Sequence, residues 1–387
     1  MDRLAETVRT LADLVAFPTV SSGPNLALID YAADRLAAAG ASVEVMHGAQ
    51  GGKANLFATI GPWRDGGIVL SGHTDVVPAD EAEWTSDPFV LRDDGARLYG
   101  RGTCDMKGFV AAAIAMAPVY AALPLARPVH FAFTYDEEVG CLGALQLVEA
   151  LRARALRPAA AIIGEPTRMR VVEAHKGCCE YTTRFTGLEG HGSNPDAGVN
   201  AVEFAVRYVA RLLALRDALK ARAPAASPFV PPWTTVQVGR IDGGTARNVI
   251  AGHCAVEWEM RPVDPADATF VKSILAEYAE TELLPAMRAV HPGAAIETEV
   301  IGEVAGLAPA GLNEARDIAL ALTGGNGTDV VAFGTEAGLF QSLGMSAVVC
   351  GPGSIEEAHK PDEFVERGEL AAALSMLEGL AAPLARA

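Results

Sequence analysis

The six cysteines, at 104, 141, 178, 179, 254 and 350, include no CxxC pair, and two of them are adjacent. Neither a thiolate zinc site nor a disulfide framework is expected, and a reducing, cytoplasmic setting is. A basic surplus is also missing. The formal net charge is −17, which argues against the basic face that nucleic-acid binding requires and leaves solubility as the simple meaning of the charge. The start, Met1-Asp2-Arg3-Leu4-Ala5-Glu6, alternates acid, base and apolar residues and lacks the uncharged core of a signal peptide, so export is not expected. One run, 109–126, is long and apolar enough to raise the question of a membrane span. Eight of its eighteen residues are alanine and two are prolines, at 118 and 124. That content predicts a buried helix ending between the two prolines and no membrane partner. There is no internal repeat and no disordered low-complexity tract.

What is present is a chain of 387 residues, 50% hydrophobic, enough for two or three domains of about 100 to 200 residues each. Helical periodicity covers 4–15 and 25–39, and strand-like runs follow at 42–45, 55–60 and 67–70. The Ala-rich helix, a strand at 129–134, a helix at 143–154 and a strand at 160–163 continue the alternation. This is α/β grammar: a mostly parallel sheet with helices on both faces. From 178 the pattern changes to strand, helix (200–219), two strands (234–238 and 249–260), helix (266–283) and strand (295–301), a βαββαβ insert of α+β type. The Pro-rich stretch 224–232 lies inside this insert as a loop. After 302 the α/β pattern returns, with a helix from 312, a strand at 346–349 and a closing helix from 369. The expected organisation is a discontinuous catalytic domain, 1–177 and 303–387, interrupted by a smaller domain, 178–302.

Five clusters of metal-ligand residues fall where such a sheet carries its sites, at the C-terminal ends of strands or at strand-to-loop transitions. His73 and Asp75 sit two apart after an apolar strand, so an imidazole ligand could be oriented by a carboxylate. Asp105 follows Gly100-Arg101-Gly102 and precedes the Ala-rich helix; it reads either as a helix cap or as a carboxylate bridging two metal ions. Asp136-Glu137-Glu138 ends a buried strand. Three adjacent carboxylates there repel one another unless a cation is close, with one glutamate as ligand and its neighbour as general base, or they form a solvated acidic loop. Glu165 follows the strand at 160–163, and His359 lies downstream in Ala358-His359-Lys360. Singly each is weak. Jointly, two histidines and several acids supply the mixed N/O donors that a two-metal hydrolytic centre needs.

At these residues the chain resembles the dinuclear zinc amidohydrolase and metallopeptidase family, which includes deacylases of N-acyl amino acids and carboxypeptidases. The resemblance covers essentially the whole chain. It implies two Zn2+ per subunit, with Co2+ accepted by the same donors: His73 and Glu165 on the first, Glu138 and His359 on the second, and Asp105 bridging. It further implies that Asp75 partners His73 and that Glu137 is the general base for a water held between the ions. In such proteins the inserted domain is a lid or dimerisation domain. The motif Gly190-His191-Gly192-Ser193 then looks like the histidine that reaches the partner's site in a homodimer to stabilise the oxyanion.

Within the family, Phe333-Gly334-Thr335-Glu336-Ala337-Gly338-Leu339-Phe340, Cys350-Gly351-Pro352-Gly353, His359-Lys360-Pro361-Asp362-Glu363 and His175-Lys176-Gly177 are most similar to the branch that deacetylates N-acetylornithine. This substrate carries a carboxylate and a distal ammonium, which call for a cationic and an acidic partner. Arg261 and Asn248, with Arg247 nearby, are candidates for the carboxylate, and Glu336 for the ammonium. Desuccinylation, dipeptide cleavage or deacylation of another N-acyl amino acid would use the same centre. A non-catalytic metal-binding relative would have no need of Glu137 and His191.

Overall fold

The Ala-rich run folds as the helix Lys107–Ala121 in a computed structural model that describes residues 2–49, 51–154 and 156–385. Ala111, Ala112, Ala113 and Ala117 have no exposed surface. Their methyl side chains let the helices Arg3–Val15 and Arg367–Gly379 and the strand Ile68–His73 pack closely around this one. Pro118 lies inside the helix, in its last turn. Among the described residues no helix is long and apolar enough to cross a membrane.

The chain divides into two compact units. The larger comprises Met1–His175, Leu307–Val330 and Thr335–Ala387, and the smaller Lys176–Gly306 and Val331–Gly334. The junction thus falls a few residues from the positions read off the sequence. Gly177 belongs with the smaller unit because its N–H donates to the Pro262 carbonyl at 2.8 Å.

An eight-stranded sheet runs through the larger unit in the order Ser42–His47, Ala54–Ile60, Val129–Thr134, Ile68–His73, Ala160–Pro166, Ser346–Gly351, Val172–His175, Asp329–Val331. The four strands from Val129–Thr134 to Ser346–Gly351 are parallel, and Ser42–His47, Ala54–Ile60 and Val172–His175 pair antiparallel. Every residue of Ala54–Ile60, Ile68–His73 and Ala160–Pro166 is buried. Side chains alternate between faces along a strand, so burial throughout means that both faces are covered. The strands at 172–175 and 329–331 escape a reading by periodicity because four and three residues are too few to display one.

One buried histidine in this sheet gives a pH-dependent expectation. His130 has no exposed surface; its Nδ1 lies 2.9 Å from Thr59 Oγ1, its ring stacks on Phe57, and Nε2 has no partner. Burial pushes its pKa down to about 4. An unfolded chain therefore takes up a proton at His130 below pH ~6.5 that the native protein refuses. This stability is complete above pH ~6.5 and is lost as pH falls through about 4, a change of order 3 kcal/mol. Urea midpoints of wild type and His130→Gln at pH 7 and 4.5 should show the variant losing less on acidification. Equal losses would exclude His130 as a source of acid sensitivity.

The smaller unit is a four-stranded antiparallel sheet in the order Thr235–Gly243, His253–Arg261, Cys178–Thr186, Ala295–Val304. The helices Ala201–Ala221 and Pro265–Tyr278 pack against each other, and the unit has its own apolar core. Tyr181 and Trp258 stack at 4.4 Å, and Trp258 donates to Thr183 at 3.0 Å. Two expectations are corrected. The strand expected at 249–260 breaks at Ala251–Gly252: Val249–Ile250 leaves the main sheet and pairs with Gly190–His191. The helix expected to stop at 283 continues through one wider turn, Ala279–Leu283, to Val290.

Candidate metal centre

His73 is the last residue of its strand and is 1% exposed. Its Nδ1 is 2.9 Å from the Asp75 carbonyl oxygen and 3.6 Å from the Asp75 carboxylate. A ring that donates from Nδ1 leaves Nε2 with a bare lone pair. That atom faces Asp105 Oδ1 at 2.9 Å and Glu165 Oε1 at 3.7 Å. Glu165 comes from the adjacent parallel strand, where Ser71 is level with Ile163. Its neighbour has to be glycine: a Cβ on Gly164 would lie 1.9 Å from the Phe109 ring. The missing side chain lets the Ala-rich helix sit directly against the strand that carries Glu165.

Asp105 does not cap that helix. The cap position is Met106, without a side-chain hydrogen bond. The Asp105 carboxylate instead spans two groups of donors, with Oδ1 toward His73 and Oδ2 3.4 Å from His359 Nε2. His359 Nε2 is also 3.1 Å from Glu138 Oε2. Glu137 and Glu138 follow the strand Val129–Thr134, and both of their main-chain N–H groups donate to the Asp75 carboxylate, at 3.1 and 3.3 Å. Asp75 also accepts from Ser21 Oγ at 2.7 Å. One aspartate thus orients the histidine through its backbone and the two glutamates through its side chain. Asp136, in left-handed conformation at φ 54°, is held by an ion pair with Lys53. The neighbouring glutamates differ in their contacts: Glu138 meets His359, while Glu137 Oε1 accepts from the Cys141 thiol at 3.5 Å.

The electrostatics are those of acids crowded around two imidazoles. Burial raises Glu137 to about 8, and the charges of Glu138, Asp105 and Asp75 add to this against His73. Burial and the Asp105 charge likewise raise Glu165 and Glu138. Burial would lower His73, but hydrogen bonds to Asp105 and Asp75 and the Glu165 charge lift it well above the ordinary histidine value. Hydrogen bonds to Asp105 and Glu138 raise His359 to about 10. For Asp105 burial pushes upward, yet the two histidines hold it below the usual carboxylate range. Four carboxylates facing two imidazoles relieve their repulsion by keeping protons or by sharing cations. His73, Glu137 and Glu165 bring ligand atoms within 4.8 Å of one another, and so do His73, Asp105 and Glu138. Imidazole with carboxylate donors suits zinc and its neighbours among the divalent ions.

Other expected site residues fall elsewhere. Glu336 has no exposed surface; its oxygens accept from Ser71 Oγ at 2.5 Å and Thr134 Oγ1 at 2.9 Å. Sealed in the core between two strands, it cannot touch a substrate ammonium, and that expectation is corrected. In the smaller unit His191 and Asn248 come together: the Gly192 N–H donates to the Asn248 carbonyl at 2.7 Å, and both side chains, like that of Arg247, are exposed. His191 Nδ1 is 2.7 Å from Ser193 Oγ. Arg261 lies at the far end of His253–Arg261, about 26 Å from His253 at strand rise, and its guanidinium pairs with Glu259 at 2.6 Å. Asn248 just precedes Val249–Ile250, so the two candidates stand on different segments of the smaller unit. Ser21, Lys53 and Cys141 were missed: a serine in a loop, a surface-type lysine and a lone cysteine carry no pattern that marks them.

A helix-flanked parallel sheet with clustered carboxylates and imidazoles at its strand ends is the architecture of a metal-dependent hydrolase. The chain belongs to the peptidase family M20/M25/M40, whose model matches residues 69–382. It is 40% identical over 380 residues to a protein named acetylornithine deacetylase from Myxococcus xanthus, covering 94% of this chain and 93% of that one. It is 35% identical over 373 residues to one of the same name from Shigella sonnei, covering 94% of each. Among solved structures it resembles a metallo-carboxypeptidase of the M20 family from Sulfolobus solfataricus, with TM-score 0.77, 17% identity and coverage of 98% and 99%. A tripeptidase from Staphylococcus aureus gives TM-score 0.74, 20% identity and 99% of both chains.

Proposed function

We propose that this hydrolase cleaves N2-acetyl-L-ornithine to L-ornithine and acetate, a step of arginine biosynthesis, with a pair of zinc ions. Cobalt(II) would serve the same donors. The observation that carries the two-ion reading is the Asp105 carboxylate, with one oxygen toward each histidine. The substrate comes from the relatives that share more than a third of their residues with it over nearly their whole length. In this reading His73 and Glu165 hold one ion, Glu138 and His359 the other, and Asp105 both.

Ions held there would supply the positive charge that makes a water acidic near neutral pH and polarises the acetyl carbonyl. Glu137 takes the proton of the attacking water and returns it to the leaving amine. Asp75 fixes the start of the Glu137–Glu138 segment through two backbone hydrogen bonds. The smaller unit is assigned the roles of lid and dimerisation domain. His191 of the partner subunit is assigned the stabilisation of the oxyanion, and Asn248, Arg247 and Arg261 contact with the substrate carboxylate. Cytoplasmic location goes with the unpaired thiols of the described residues.

Metal-loaded protein offered N-acetylornithine, N-acetylmethionine and N-succinyl-diaminopimelate should release amine fastest from the first, by at least about tenfold in kcat/KM, the worth of one well-placed polar contact. A preference for either of the others would reject the assigned substrate and leave the metal centre intact.

A further inference from the structure

The sequence motif that contains His359 closes on a glutamate that neither the ligand set nor the mechanism uses. Glu363 is 1% exposed. Its Oε1 accepts from the main-chain N–H of Cys104 at 2.9 Å and of Asp105 at 3.0 Å. Its Oε2 accepts from the Gly102 N–H at 3.0 Å and pairs with Arg101 Nη1 at 2.8 Å. The backbone of the same residue joins in, since the Gly100 N–H donates to the Glu363 carbonyl at 2.9 Å. Around this point Phe364–Glu366 pairs with Arg97–Tyr99, and Arg101 Nη1 reaches the Lys360 carbonyl at 3.3 Å. The segment 97–105 and the segment 360–366, which follows His359, are thereby laced together.

A buried carboxylate is costly unless its oxygens are satisfied. Here both oxygens accept two hydrogen bonds each, and three of the four donors are consecutive or near-consecutive amides of one loop. A glutamate that only filled space or paired with Arg101 would not need that loop. Removing the grip frees Asp105, whose two oxygens face His73 and His359.

We infer that Glu363 is a positioning residue of the metal centre: it clamps the 101–105 loop and so fixes the Asp105 carboxylate between His73 and His359. This rests on the metal-centre reading above. Because Asp105 reaches both donor groups, loosening it weakens both ions together. Removal of such outer partners elsewhere costs about 10- to 100-fold in metal affinity.

The test is titration of the metal-free protein with Co2+, followed by calorimetry and by the visible d–d absorption that reports ligand geometry. Wild type should bind two ions. Glu363→Gln, which offers one acceptor oxygen where the loop needs two, should bind both about 10- to 100-fold more weakly, with shifted bands. Asp267→Asn is the matched control. It removes a buried carboxylate that accepts from Arg222 and Thr234 in the smaller unit, and should lower the unfolding temperature while leaving Co2+ affinity and bands unchanged. If Glu363→Gln does not fold, Glu363→Asp decides. It keeps the charge opposite Arg101 but falls one methylene short of the amides, and should show the same loss in milder form. A folded Glu363 variant with wild-type affinities and bands would overturn the inference. Wild type that binds no Co2+ would overturn the metal-centre reading itself, and the inference with it.

Discussion

A Glu137→Gln protein is expected to take up its full complement of divalent metal and to hydrolyse N-acetylornithine about 10²- to 10⁴-fold more slowly than wild type, the usual worth of a positioned general base. The expectation rests on the different company kept by two adjacent glutamates. Glu138 lies 3.1 Å from His359 Nε2 and opposite Asp105, so it is committed to a ligand group. Glu137 has no contact with His359; it meets the Cys141 thiol on one oxygen, and in the proposed mechanism the other faces the water. Glutamine preserves shape and the Cys141 contact but cannot accept a proton, so KM should change little while kcat falls. Loss of metal from Glu137→Gln, or full turnover by it, would reverse the roles of the two residues. Glu138→Gln should behave differently, with a lower metal content preceding any loss of rate.

Removal of the metal is expected to have the largest effect of all. Prolonged chelation should abolish activity, and added Zn2+ or Co2+ should restore it. Asp105→Ala should stay inactive at metal concentrations that saturate wild type. The reason is the charge balance of the centre, since Asp105, Glu138 and Glu165 are buried together with Glu137 and repel one another through low-dielectric surroundings. Cations relieve that repulsion, so the folded state gains from binding. At a free metal concentration of about 1,000 times Kd the gain is roughly 4 kcal/mol per site. Thermal unfolding should therefore shift upward on metal addition in wild type and much less in Asp105→Ala. A chelated enzyme with unaltered turnover would remove the metal from the mechanism altogether.

Much of this site could be read before any coordinates. His73, the two glutamates after Thr134, and Glu165 each follow an apolar run whose burial the sequence declares, and parallel strands place such endings side by side. The Ala-rich run also declared itself, because only a helix packed on every side has a use for so many small residues. Asp105 and the Asp136–Glu138 segment stayed ambiguous because a cap, a solvated acidic loop and a ligand share one composition. Their partners, Met106 at the cap and His359 across the site, are decided by the tertiary fold. Glu363 and Ser21 were illegible for the same reason. Each acts on a segment more than 50 residues away, and nothing in local periodicity records such a pairing. Glu336 misled in the opposite direction: an acid in a family-like segment suggested a substrate contact, whereas Ser71 and Thr134 enclose it. The break at Ala251–Gly252 was hidden because the apolar pattern runs straight through a point where the backbone changes partners.

His359 differs from its companions in one respect. Its side chain is 52% exposed, against 1% for His73 and 6% for Glu165. An ion held by His359 and Glu138 would lie toward solvent, and one held by His73 and Glu165 would lie toward the sheet. The centre therefore has an open side at His359 and a closed side at His73 and Glu165.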